Sequence, residues 1–397
     1  KFKDILKKIN ILQPANSTVR NKKQALEEAE KIGYPIIVRP SYVLGGRAME
    51  VIYDSKELKK YINEAVKVSN DAPVLIDKFL NEAIEIDVDA VRDLKGEVFI
   101  AGVMQHIEEA GVHSGDSACA IPTYSISKSQ IALIKENTIK MANKLDVKGL
   151  MNVQFAIKDN KIFVIEVNPR ASRTIPFVSK SIGISVAKIA AKCMLGMSIK
   201  DQNLPKNIKY DFCYVKEVVF PFLKFPGVDP ILGPEMKSTG EVMGIGKNFG
   251  EAFAKSQIAT NVTIPDKGTA FISVKHEDKK YILNVAKKLL KLGFSLVATD
   301  GTQNFLNENK IKCKRVNKVR EGRTHIVDMI KNNQIDLIIN TTQSKQAIKD
   351  SYLIRREALN YKVCYTTTIA AANALVEAID YSENLDVYKL QDIFKLA

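Results

Sequence analysis

The strongest constraint on the fold is a regular alternation of strand-like and helix-like segments that begins near residue 268. Short apolar segments at 270–274, 294–300 and 335–342 predict strands, and longer amphipathic segments separate them. The helix predicted between the first two strands is followed by Gly293, a residue type that commonly ends helices. This alternation predicts a small doubly wound parallel sheet in the last part of the chain.

The first half of the chain follows a different pattern, in which strands are connected through tight turns. Helices are predicted at 24–33, 55–68, 128–145 and 179–195. Strands are predicted in YPIIVRPS, SYVLGGRAMEVIY, PVLIDKFL, AIEIDVDAV and VFIAGVMQHI, and the second of these segments turns at Gly45-Gly46. The alternation in AIEIDVDAV predicts a strand with one acidic face, formed by Glu85, Asp87 and Asp89. The sequence therefore predicts an α/β protein with an α+β domain at 1–196, a loop-rich connecting region at 197–260 and the doubly wound domain at 261–397.

Composition excludes several classes of protein. The 397 residues are 46% hydrophobic, which is enough for a buried core, and no apolar run is long enough to cross a membrane. The net charge is +14, but the lysines are scattered and form no basic tract with interleaved aromatic residues, so nucleic-acid binding is not expected. The five cysteines include no CxxC pair, which disfavours a zinc or disulfide framework and favours a reducing cytoplasm. The first residues show neither a signal peptide nor an initiator Met, so a fragment or a processed chain is expected.

Polar residues inside an apolar hairpin at 151–168 are the clearest sign of chemistry. Glu166 and Asn168 point the same way because side chains alternate along a strand. A three-residue loop would place Gln154 opposite Glu166 on that face, whereas a two-residue loop would place it on the other face. In the first case a carboxylate and two amide oxygens converge, a set of ligands that suits Mg²⁺. The alternative is an edge hairpin whose polar side chains are simply solvated.

Other residues of the first half are suited to binding phosphate or nucleotide. Arg170 and Arg173, just beyond the hairpin, could meet the phosphates that a divalent metal carries. Backbone N–H groups of the Gly45-Gly46 turn could cover phosphates, although an ordinary tight turn has the same signature. Arg39 ends a predicted strand and could reach a phosphate, and Glu85 could accept hydrogen bonds from ribose hydroxyls.

Two other segments have weaker functional interpretations. The segment 106–118 is predicted to be a polar loop that lines a nucleotide or a cation, because the seven-residue spacing of its two His matches no metal-ligand pattern. The segment MGIGKNFG (243–250) imitates a dinucleotide-binding fingerprint, but no clear strand is predicted before it and no acidic residue follows at the required spacing. The sequence contains no P-loop motif.

Several long motifs resemble a single family. The segments RPSYVLGGRAM, VSNDAPVLIDKFL, EAGVHSGDSA, GLMNVQFA, IEVNPRASRT, PFVSKS and KFPGVDPILGPEMKSTGEVMGIG resemble the large subunit of carbamoyl-phosphate synthase. The resemblance covers nearly the whole chain and implies the C-terminal half of that subunit, in which a second ATP-grasp domain precedes a methylglyoxal-synthase-like regulatory domain. It implies a cytoplasmic, allosteric, glutamine-hydrolysing ligase that phosphorylates carbamate with ATP, forming carbamoyl phosphate for arginine and pyrimidine biosynthesis.

The resemblance also implies a role for each residue that matches a motif of the family. The residues implied to contact ATP are Arg39, Lys78, Leu80, Glu85, Gly111, Val112, His113, Ser114, Gln154 and Glu166. The residues implied to hold divalent metal are Gln154, Glu166 and Asn168, and the residues implied to be catalytic are Glu166, Asn168 and Arg170. The residues implied to bind effectors or a monovalent cation are Glu108, Asp116 and Glu217 in one group, and Lys279, Thr299, Thr302, Lys318, Asn340 and Thr342 in a second, nucleotide-binding group.

The resemblance implies cofactors and partners as well. The cofactors are ATP and Mg²⁺ or Mn²⁺, with K⁺ as a further cation. The partners are a glutamine amidotransferase small subunit, the first ATP-grasp half of the large subunit and nucleotide effectors, with neither nucleic acid nor membrane among them. The sequence shows neither that first ATP-grasp copy nor the small α/β domain that precedes the second copy. The alternatives are another ATP-grasp ligase that joins a carboxylate to an amine, and a regulatory fragment that binds nucleotide without turnover.

Overall fold

The computed structural model describes residues 2–40, 45–65, 73–342, 345–382 and 385–393. The chain divides into two compact units. The first unit consists of Lys1–Asp211, Leu232–Lys237 and Val387–Ala397, and the second consists of Phe212–Ile231 and Ser238–Asp386. A short segment that interrupts the second unit in the sequence therefore belongs to the first. The three domain ranges inferred from the sequence stay a prediction.

The first unit is built from strands β1 to β9 and helices α1 to α6. The strands are β1 (Asn16–Val19), β2 (Ile36–Pro40), β3 (Glu50–Ile52), β4 (Val74–Lys78), β5 (Ile84–Arg92), β6 (Val98–Glu109), β7 (Cys119–Ile121), β8 (Gly149–Lys158) and β9 (Lys161–Asn168). The helices are α1 (Phe2–Lys8), α2 (Lys22–Ile32), α3 (Ser55–Ala65), α4 (Lys128–Lys144), α5 (Ile175–Ile182) and α6 (Val186–Met194). The single helix predicted at 179–195 is wrong, because Gly183 adopts a left-handed conformation that ends α5 before α6 begins.

Strands β1 to β4 form an antiparallel sheet in the order β1-β4-β2-β3. Residues such as Ile36 on the sheet and Leu58 on α3 form its hydrophobic core, and burying each such side chain contributes about 1.5–3 kcal/mol. Strands β2 and β3 pair antiparallel, but β2 comes from the separately predicted strand YPIIVRPS, so this is not the hairpin predicted within SYVLGGRAMEVIY. Part of that prediction, residues 41–44, lies outside the described residues, and so do residues 66–68 of the helix predicted at 55–68.

The other strands of the first unit form a second antiparallel sheet in the order β7-β6-β5-β8-β9. Helix α4 packs on one face, where Phe155 and Met141 belong to the main hydrophobic core. Glu85, Asp87 and Asp89 of β5 were predicted to share a face, and all three are buried. They alternate with apolar residues of the core, so they point to the opposite face of the sheet. The second sheet therefore has one apolar and one polar face.

The second unit is built from strands β10 to β16 and helices α7 to α12. The strands are β10 (Cys213–Val219), β11 (Gly240–Gly246), β12 (Thr269–Ser273), β13 (Ser295–Ala298), β14 (Lys314–Arg315), β15 (Leu337–Asn340) and β16 (Cys364–Thr366). The helices are α7 (Phe249–Ala259), α8 (Lys279–Lys291), α9 (Asp300–Glu308), α10 (Ile326–Lys331), α11 (Lys345–Asn360) and α12 (Ile369–Ile379). A short α13 (Leu390–Ile393) comes later in the sequence and belongs to the first unit. Among the described helices, none combines the length and the apolar composition that crossing a membrane requires.

The doubly wound sheet predicted for the end of the chain is confirmed. Strands β12 to β16 are all parallel and lie in the order β14-β13-β12-β15-β16. The region 197–260 is more regular than predicted, because β10, β11 and α7 lie within it. Strands β10 and β11 pair antiparallel, and the Pro- and Gly-rich residues that suggested loops lie between them.

The glycines of MGIGKNFG allow close packing of a helix on a strand. The segment begins inside β11, contrary to the prediction that no strand precedes it, and Asn248 caps α7 by accepting a hydrogen bond from Glu251 N. A Cβ atom on Gly244 would lie 2.0 Å from Ala252 O, and one on Gly246 would lie 2.5 Å from Ala252 N. The helix backbone thus fills the space that a pyrophosphate would need, and the dinucleotide interpretation fails for this reason.

Candidate nucleotide and metal site

A β-bulge in the hairpin of β8 and β9 decides which side chains reach the polar face. The loop has two residues, 159–160, both with positive φ, as a tight hairpin turn requires. Without a further irregularity, this loop would pair Gln154 with Ile165 and would turn Glu166 to the other face. The register instead shifts between Phe155 and Gln154, so that Gln154 lies opposite Glu166. The pairing of Gln154 with Glu166 is therefore present, but it results from the bulge and not from a three-residue loop.

The bulge resolves a conflict in the sequence of β9. Ile162 and Val164 are buried in the main core, and Val167, three residues after Val164, packs against the same core. Strict alternation would turn Val167 away from the core and Glu166 into it. One extra residue, Ile165, reverses the alternation at this point. The change of spacing from two residues to three was a signal in the sequence that could have revealed the bulge.

Oxygen-bearing side chains from three strands form a row across the polar face. Asp87 of β5 lies opposite Gln154 of β8, which in turn lies opposite Glu166 of β9. Asp87 is buried, and its Oδ1 atom has no hydrogen-bond partner within the described residues. Buried polar atoms are normally satisfied. This oxygen is therefore a candidate ligand for something that the protein binds.

A second row runs beside the first. Asn168 lies opposite Asn152, and Asn152 lies opposite Asp89. Since each partner pair shares a face, the structure brings Gln154, Glu166 and Asn168 together on the polar face, where the sequence placed them in one of its two alternatives. Glu166 and Asn168 are half-buried, whereas Asn152 and Asp89 are fully buried. The half-buried members are the ones that a ligand can reach.

A carboxylate–imidazole cluster lies next to these rows. His106 Nδ1 is 3.7 Å from Glu85 Oε1, and His106 Nε2 is 3.3 Å from Asp87 Oδ2. Burial raises the pKa of Glu85 to about 7, and the imidazole of His106 opposes that shift. Ligand atoms of the three residues lie within 4.8 Å of one another, close enough to hold a cation.

Sequence reasoning missed this cluster because it considered His106 only together with the polar residues that follow the predicted strand VFIAGVMQHI, although His106 also belongs to that strand. In the structure β6 extends to Glu109, and His106 Nε2 lies 3.3 Å from Asp87 Oδ2 of β5. Asp87 was noticed only as part of an acidic face. The alternating acids of β5 were a signal, but the pairing of β5 with β6 in this register brings the imidazole to them.

The predicted nucleotide loop is attached to the short segment 232–237. His113 N donates to Gly233 O at 2.8 Å, and Lys237 N donates to Asp116 Oδ2 at 2.7 Å. Within the loop, Gly115 N donates to His113 Nδ1 at 3.0 Å, and burial lowers the pKa of His113. These bonds hold the loop by its backbone.

The beginning of this loop passes close to an aromatic ring. Gly111 has a φ of +108°, and a Cβ atom there would lie 2.5 Å from the ring of Phe79. Glycine is therefore required at this position for two reasons, the backbone conformation and the space. Val112 and Ser114 are half-buried on either side of His113.

Two cations that were predicted to contact nucleotide are bound by protein groups. Lys78 Nζ donates to Gly33 O and to Tyr34 O, at 2.9 Å each. Arg39 Nη2 is 2.9 Å from Asp77 Oδ2 across β2 and β4. Both side chains belong to the small antiparallel sheet, and a phosphate would have to compete with these partners.

An apolar surface borders Glu166. Leu80 and Ile165 are partly buried against the buried alanines Ala83, Ala110 and Ala156. Ile165 is the extra residue of the bulge, so the same irregularity that exposes Glu166 to the polar face also adds an aliphatic side chain beside it. Small and aliphatic side chains of this kind suit one face of a nucleobase.

Residues 169–174, which we call the arginine loop, follow β9. Arg170 and Arg173 are exposed, and their guanidinium groups donate to Ala171 O at 3.0 Å and to Met236 Sδ at 2.8 Å. The guanidinium of Arg170 forms no ion pair with the described part of the chain, so it is available to an anion that enters this edge of the sheet.

Several residues of the second predicted effector group lie at the carboxyl ends of parallel strands. Thr299 Oγ1 is 3.1 Å from Ser273 Oγ, and Thr302 Oγ1 accepts a hydrogen bond from Val274 N. Asn340 is buried at the end of β15, and its Oδ1 atom has no hydrogen-bond partner among the described residues. This edge of a doubly wound sheet is where ligands usually bind.

The other predicted effector residues make fewer described contacts with this edge of the sheet. Lys279 begins α8, and its Nζ is 3.6 Å from where a Cβ atom on Gly301 of α9 would lie, so it borders this edge. Lys318 is exposed after β14, and Thr342 follows β15. Of the first group, Glu108 accepts a hydrogen bond from Ala118 N in the first unit, whereas Glu217 accepts one from Gln257 in the second. The grouping of Glu108, Asp116 and Glu217 stays a prediction.

Solved structures share the fold of about two thirds of this chain. The biotin carboxylase domain of a 2-oxoglutarate carboxylase from Hydrogenobacter thermophilus, in complex with magnesium ADP, ADP and bicarbonate, has a TM-score of 0.54 and 16% identity. A biotin carboxylase–β-γ-ATP complex from Campylobacter jejuni has a TM-score of 0.54 and 18% identity. Each match covers 65% of this chain and 64% of the other. At this level of identity the likeness shows an ATP-grasp fold and nothing more.

Curated relatives match over almost the whole chain. The carbamoyl phosphate synthase large chain of Pseudomonas putida is 57% identical over 393 residues, which are 99% of this chain and 36% of that protein. The corresponding protein of Xanthomonas axonopodis is 52% identical over 400 residues, which are 100% of this chain and 37% of that protein. The chain thus spans a little over a third of the length of these relatives.

Two family models match successive parts of the chain. The model for the carbamoyl-phosphate synthase L chain, ATP binding domain, matches residues 1–202, and the model for the MGS-like domain matches residues 281–367. The first match ends shortly after α6. The second begins within α8 and ends just after β16, so it includes every strand of the parallel sheet except β12. The chain therefore belongs to the carbamoyl-phosphate synthase large-chain family, and it carries an ATP-binding domain followed by an MGS-like domain.

Proposed function

We propose that the chain phosphorylates carbamate with ATP to form carbamoyl phosphate, as part of a glutamine-hydrolysing carbamoyl-phosphate synthase large chain. The main support is the row formed by Asp87, Gln154 and Glu166, beside Asn168, on the polar face of an ATP-grasp sheet. Phosphoryl transfer depends mainly on positioning and charge neutralisation, so it needs metal-binding oxygens next to phosphate-binding cations. The polar face offers the oxygens, and the arginine loop offers the cations.

The donor set fits Mg²⁺. It consists of carboxylate and amide oxygens, the hard ligands that this ion prefers. The unsatisfied Oδ1 of Asp87 adds a buried oxygen that a cation would satisfy. Gln154, Glu166 and Asn168 would hold the metal, which when bound neutralises and orients phosphate oxygens. Mn²⁺ in place of Mg²⁺, and K⁺ as a further cation, belong to the same proposal.

The remaining predicted contacts would bind different parts of the nucleotide, namely the base, the ribose and the phosphates. The apolar surface that contains Leu80 and Ile165 would face the base, and Glu85 would accept hydrogen bonds from the ribose. The loop around His113 would place backbone N–H groups near the phosphates, and Lys78 and Arg39 would exchange their present partners for phosphate oxygens. Arg170 would neutralise charge on the phosphoryl group as it transfers.

The proposal extends to partners and regulation. A glutamine amidotransferase small subunit would supply ammonia, and the first ATP-grasp half of the large chain would supply carbamate, both in the cytoplasm. The cluster of Thr299, Thr302 and Asn340 near Lys279 would bind the phosphate of a nucleotide effector, because hydroxyl and amide groups with a nearby ammonium suit that ligand. The product would serve arginine and pyrimidine biosynthesis.

The test is the reverse partial reaction, in which carbamoyl phosphate and ADP yield carbamate and ATP. The chain is incubated with Mg²⁺, ADP and carbamoyl phosphate, and ATP formation is followed. Glu166→Gln keeps the size of the side chain but removes its charge, so we expect a loss of about 10²-fold or more in kcat. The matched control is Glu136→Gln, since Glu136 is an exposed residue of α4 paired with Lys140, and its activity should equal that of the parent.

Three results would contradict the proposal in different ways. No ATP formation by a parent that still binds Mg·ADP would favour a regulatory fragment that binds without turnover. Equal activity of the parent and the Glu166→Gln variant would place the metal elsewhere. Turnover with a carboxylate and an amine, but not with carbamoyl phosphate, would indicate another ATP-grasp ligase.

A further inference from the structure

One fully buried carboxylate connects the polar face of the sheet to the arginine loop. Asp89 is 0% exposed. It accepts hydrogen bonds from Asn152 Nδ2 at 3.0 Å, from Ser172 Oγ at 2.8 Å and from Thr174 Oγ1 at 2.5 Å. Two of these three donors belong to the arginine loop, and the third belongs to β8. The carboxylate therefore joins β5, β8 and the arginine loop at one point.

The same contacts fix the arginine loop relative to the predicted metal ligands. Asn152 lies directly opposite Asn168, the last residue of β9 and the residue before the loop begins. The hydroxyls of Ser172 and Thr174 also lie 2.7 Å from each other. Each of the two side chains is therefore held both by Asp89 and by the other hydroxyl. A movement of the loop would break charge-assisted hydrogen bonds, which are stronger than neutral ones.

Thr174 makes this contact in place of a more common one. It occupies the N-cap position of α5, yet its side chain makes no hydrogen bond to the first turn of that helix. A capping hydroxyl is typically worth about 1 kcal/mol. The hydroxyl donates to Asp89 instead, and a local rule that is broken in this way often marks a functional constraint.

The two arginines depend on the loop for their placement. Arg170 and Arg173 are both exposed. Among the described residues, the guanidinium of Arg170 forms one hydrogen bond, which it donates to the carbonyl of the next residue, Ala171. The loop lies outside the regular strands and helices, so its conformation comes from a few anchors. Displacement of a phosphate-binding group by about 1 Å can cost about 10²-fold in rate.

We propose that Asp89 is a positioning residue that holds the arginine loop, and with it Arg170, at the phosphoryl-transfer site through Ser172 and Thr174. This inference rests on the proposed function. Asp89 has no exposed surface, so it acts through its hydrogen bonds and does not touch the substrate. Burying a carboxylate costs free energy that a neutral side chain would avoid, and the strength and direction of its bonds offset that cost.

The test removes one hydroxyl and compares it with a matched hydroxyl elsewhere. Thr174→Val deletes the donor but keeps the shape, and Thr174→Ser keeps the donor. Thr138→Val is the control, because Thr138 is also 0% exposed and donates to a backbone carbonyl, Ile134 O, at 2.8 Å inside α4. The readouts are kcat and KM for ADP in the ATP-forming reaction, and hydrogen–deuterium exchange of backbone amides in 169–176.

We expect Thr174→Val to lower kcat about 10- to 100-fold while KM for ADP stays within about twofold, and to speed amide exchange in the arginine loop. Thr174→Ser should restore both quantities, and Thr138→Val should change neither. Unchanged exchange in Thr174→Val overturns the inference, and so does faster exchange with kcat within about twofold of the parent. If the parent forms no ATP, the proposed function fails, and the exchange comparison alone decides whether Asp89 anchors the loop.

Discussion

The ion pair between Asp229 and Arg355 in the second unit allows a sharp prediction about the cost of removing either partner. Arg355 Nε donates to Asp229 Oδ1 at 2.8 Å, and Nη2 donates both to Asp229 Oδ2 and to Ile348 O. The side chain of Arg355 is 1% exposed, whereas that of Asp229 is 24% exposed. Water can therefore reach one partner but not the other.

This difference in exposure predicts unequal costs for two conservative substitutions. Asp229→Asn leaves a guanidinium that is buried without a counter-charge, and its Nη1 atom already has no hydrogen-bond partner among the described residues. We therefore expect a loss of about 3–5 kcal/mol in the free energy of unfolding. Arg355→Met leaves a carboxylate that water can solvate, so we expect a loss of about 1–3 kcal/mol. The double variant should lose less than the sum of the two, by at least about 1 kcal/mol.

Urea denaturation followed by far-ultraviolet circular dichroism measures these free energies, and amide exchange in α11 assigns the transition to the second unit. Arg320→Met is the matched control, because Arg320 is 79% exposed and forms a surface pair with Asp350 at 3.3 Å. Its cost should be below about 1 kcal/mol. If Arg355→Met costs as much as Asp229→Asn or more, the reasoning from solvent access is wrong.

The remaining predictions concern the first unit. Burial raises the pKa of Asp89 to about 6, above the value of about 3.9 in an unfolded chain, so the stability that its protonated form contributes is present below pH 4 and is lost as pH rises through 6. The parent should therefore lose about 2.5 kcal/mol more than Asp89→Asn between pH 4 and pH 8, as urea denaturation at each pH would show, and parallel curves would contradict this. Gly111→Ala should raise the Kd for ADP about tenfold, because it combines a left-handed backbone with a clash against Phe79. Gly96→Ala has a similar φ of +95° with its nearest neighbour at 3.4 Å, so calorimetry should find its Kd unchanged, and equal effects of the two would refute a local cause.

Local patterns were enough to locate most of the candidate site. The alternation of β5, β8 and β9 showed which residues share a face, and it selected Gln154, Glu166 and Asn168 as one of two alternatives. The choice between them depended on the loop length, and the loop has two residues, which taken alone would have been the unfavourable case. The bulge at Ile165 turns Glu166 to the face of Gln154 and turns Val167 toward the core. Burying the side chain of Val167 stabilises the hairpin more than an uninterrupted ladder of hydrogen bonds would.

Other parts of the site depend on pairing between segments distant in sequence. His106 meets Glu85 and Asp87 because β6 pairs with β5 in a register that the sequence does not reveal. The hydrogen bonds of Asp89 reach 83 and 85 residues along the chain, to Ser172 and Thr174. Such contacts leave no periodic trace in a sequence, because periodicity reports only which face of an element is buried and not which element covers it.

The sequence by itself determined the parallel sheet of the second unit, most strands of the first unit other than β1 and β7, and the residue types that can bind metal and phosphate. These features follow from the spacing of apolar residues, which is local and is set by the repeat of a strand or a helix. Only the tertiary structure decided the register of β8 against β9, the burial of Asp89 and the attachment of segment 232–237 to the first unit. Each of these results from competition between burying apolar surface and satisfying polar groups across the whole unit, and that balance is settled only when the distant segments pack together.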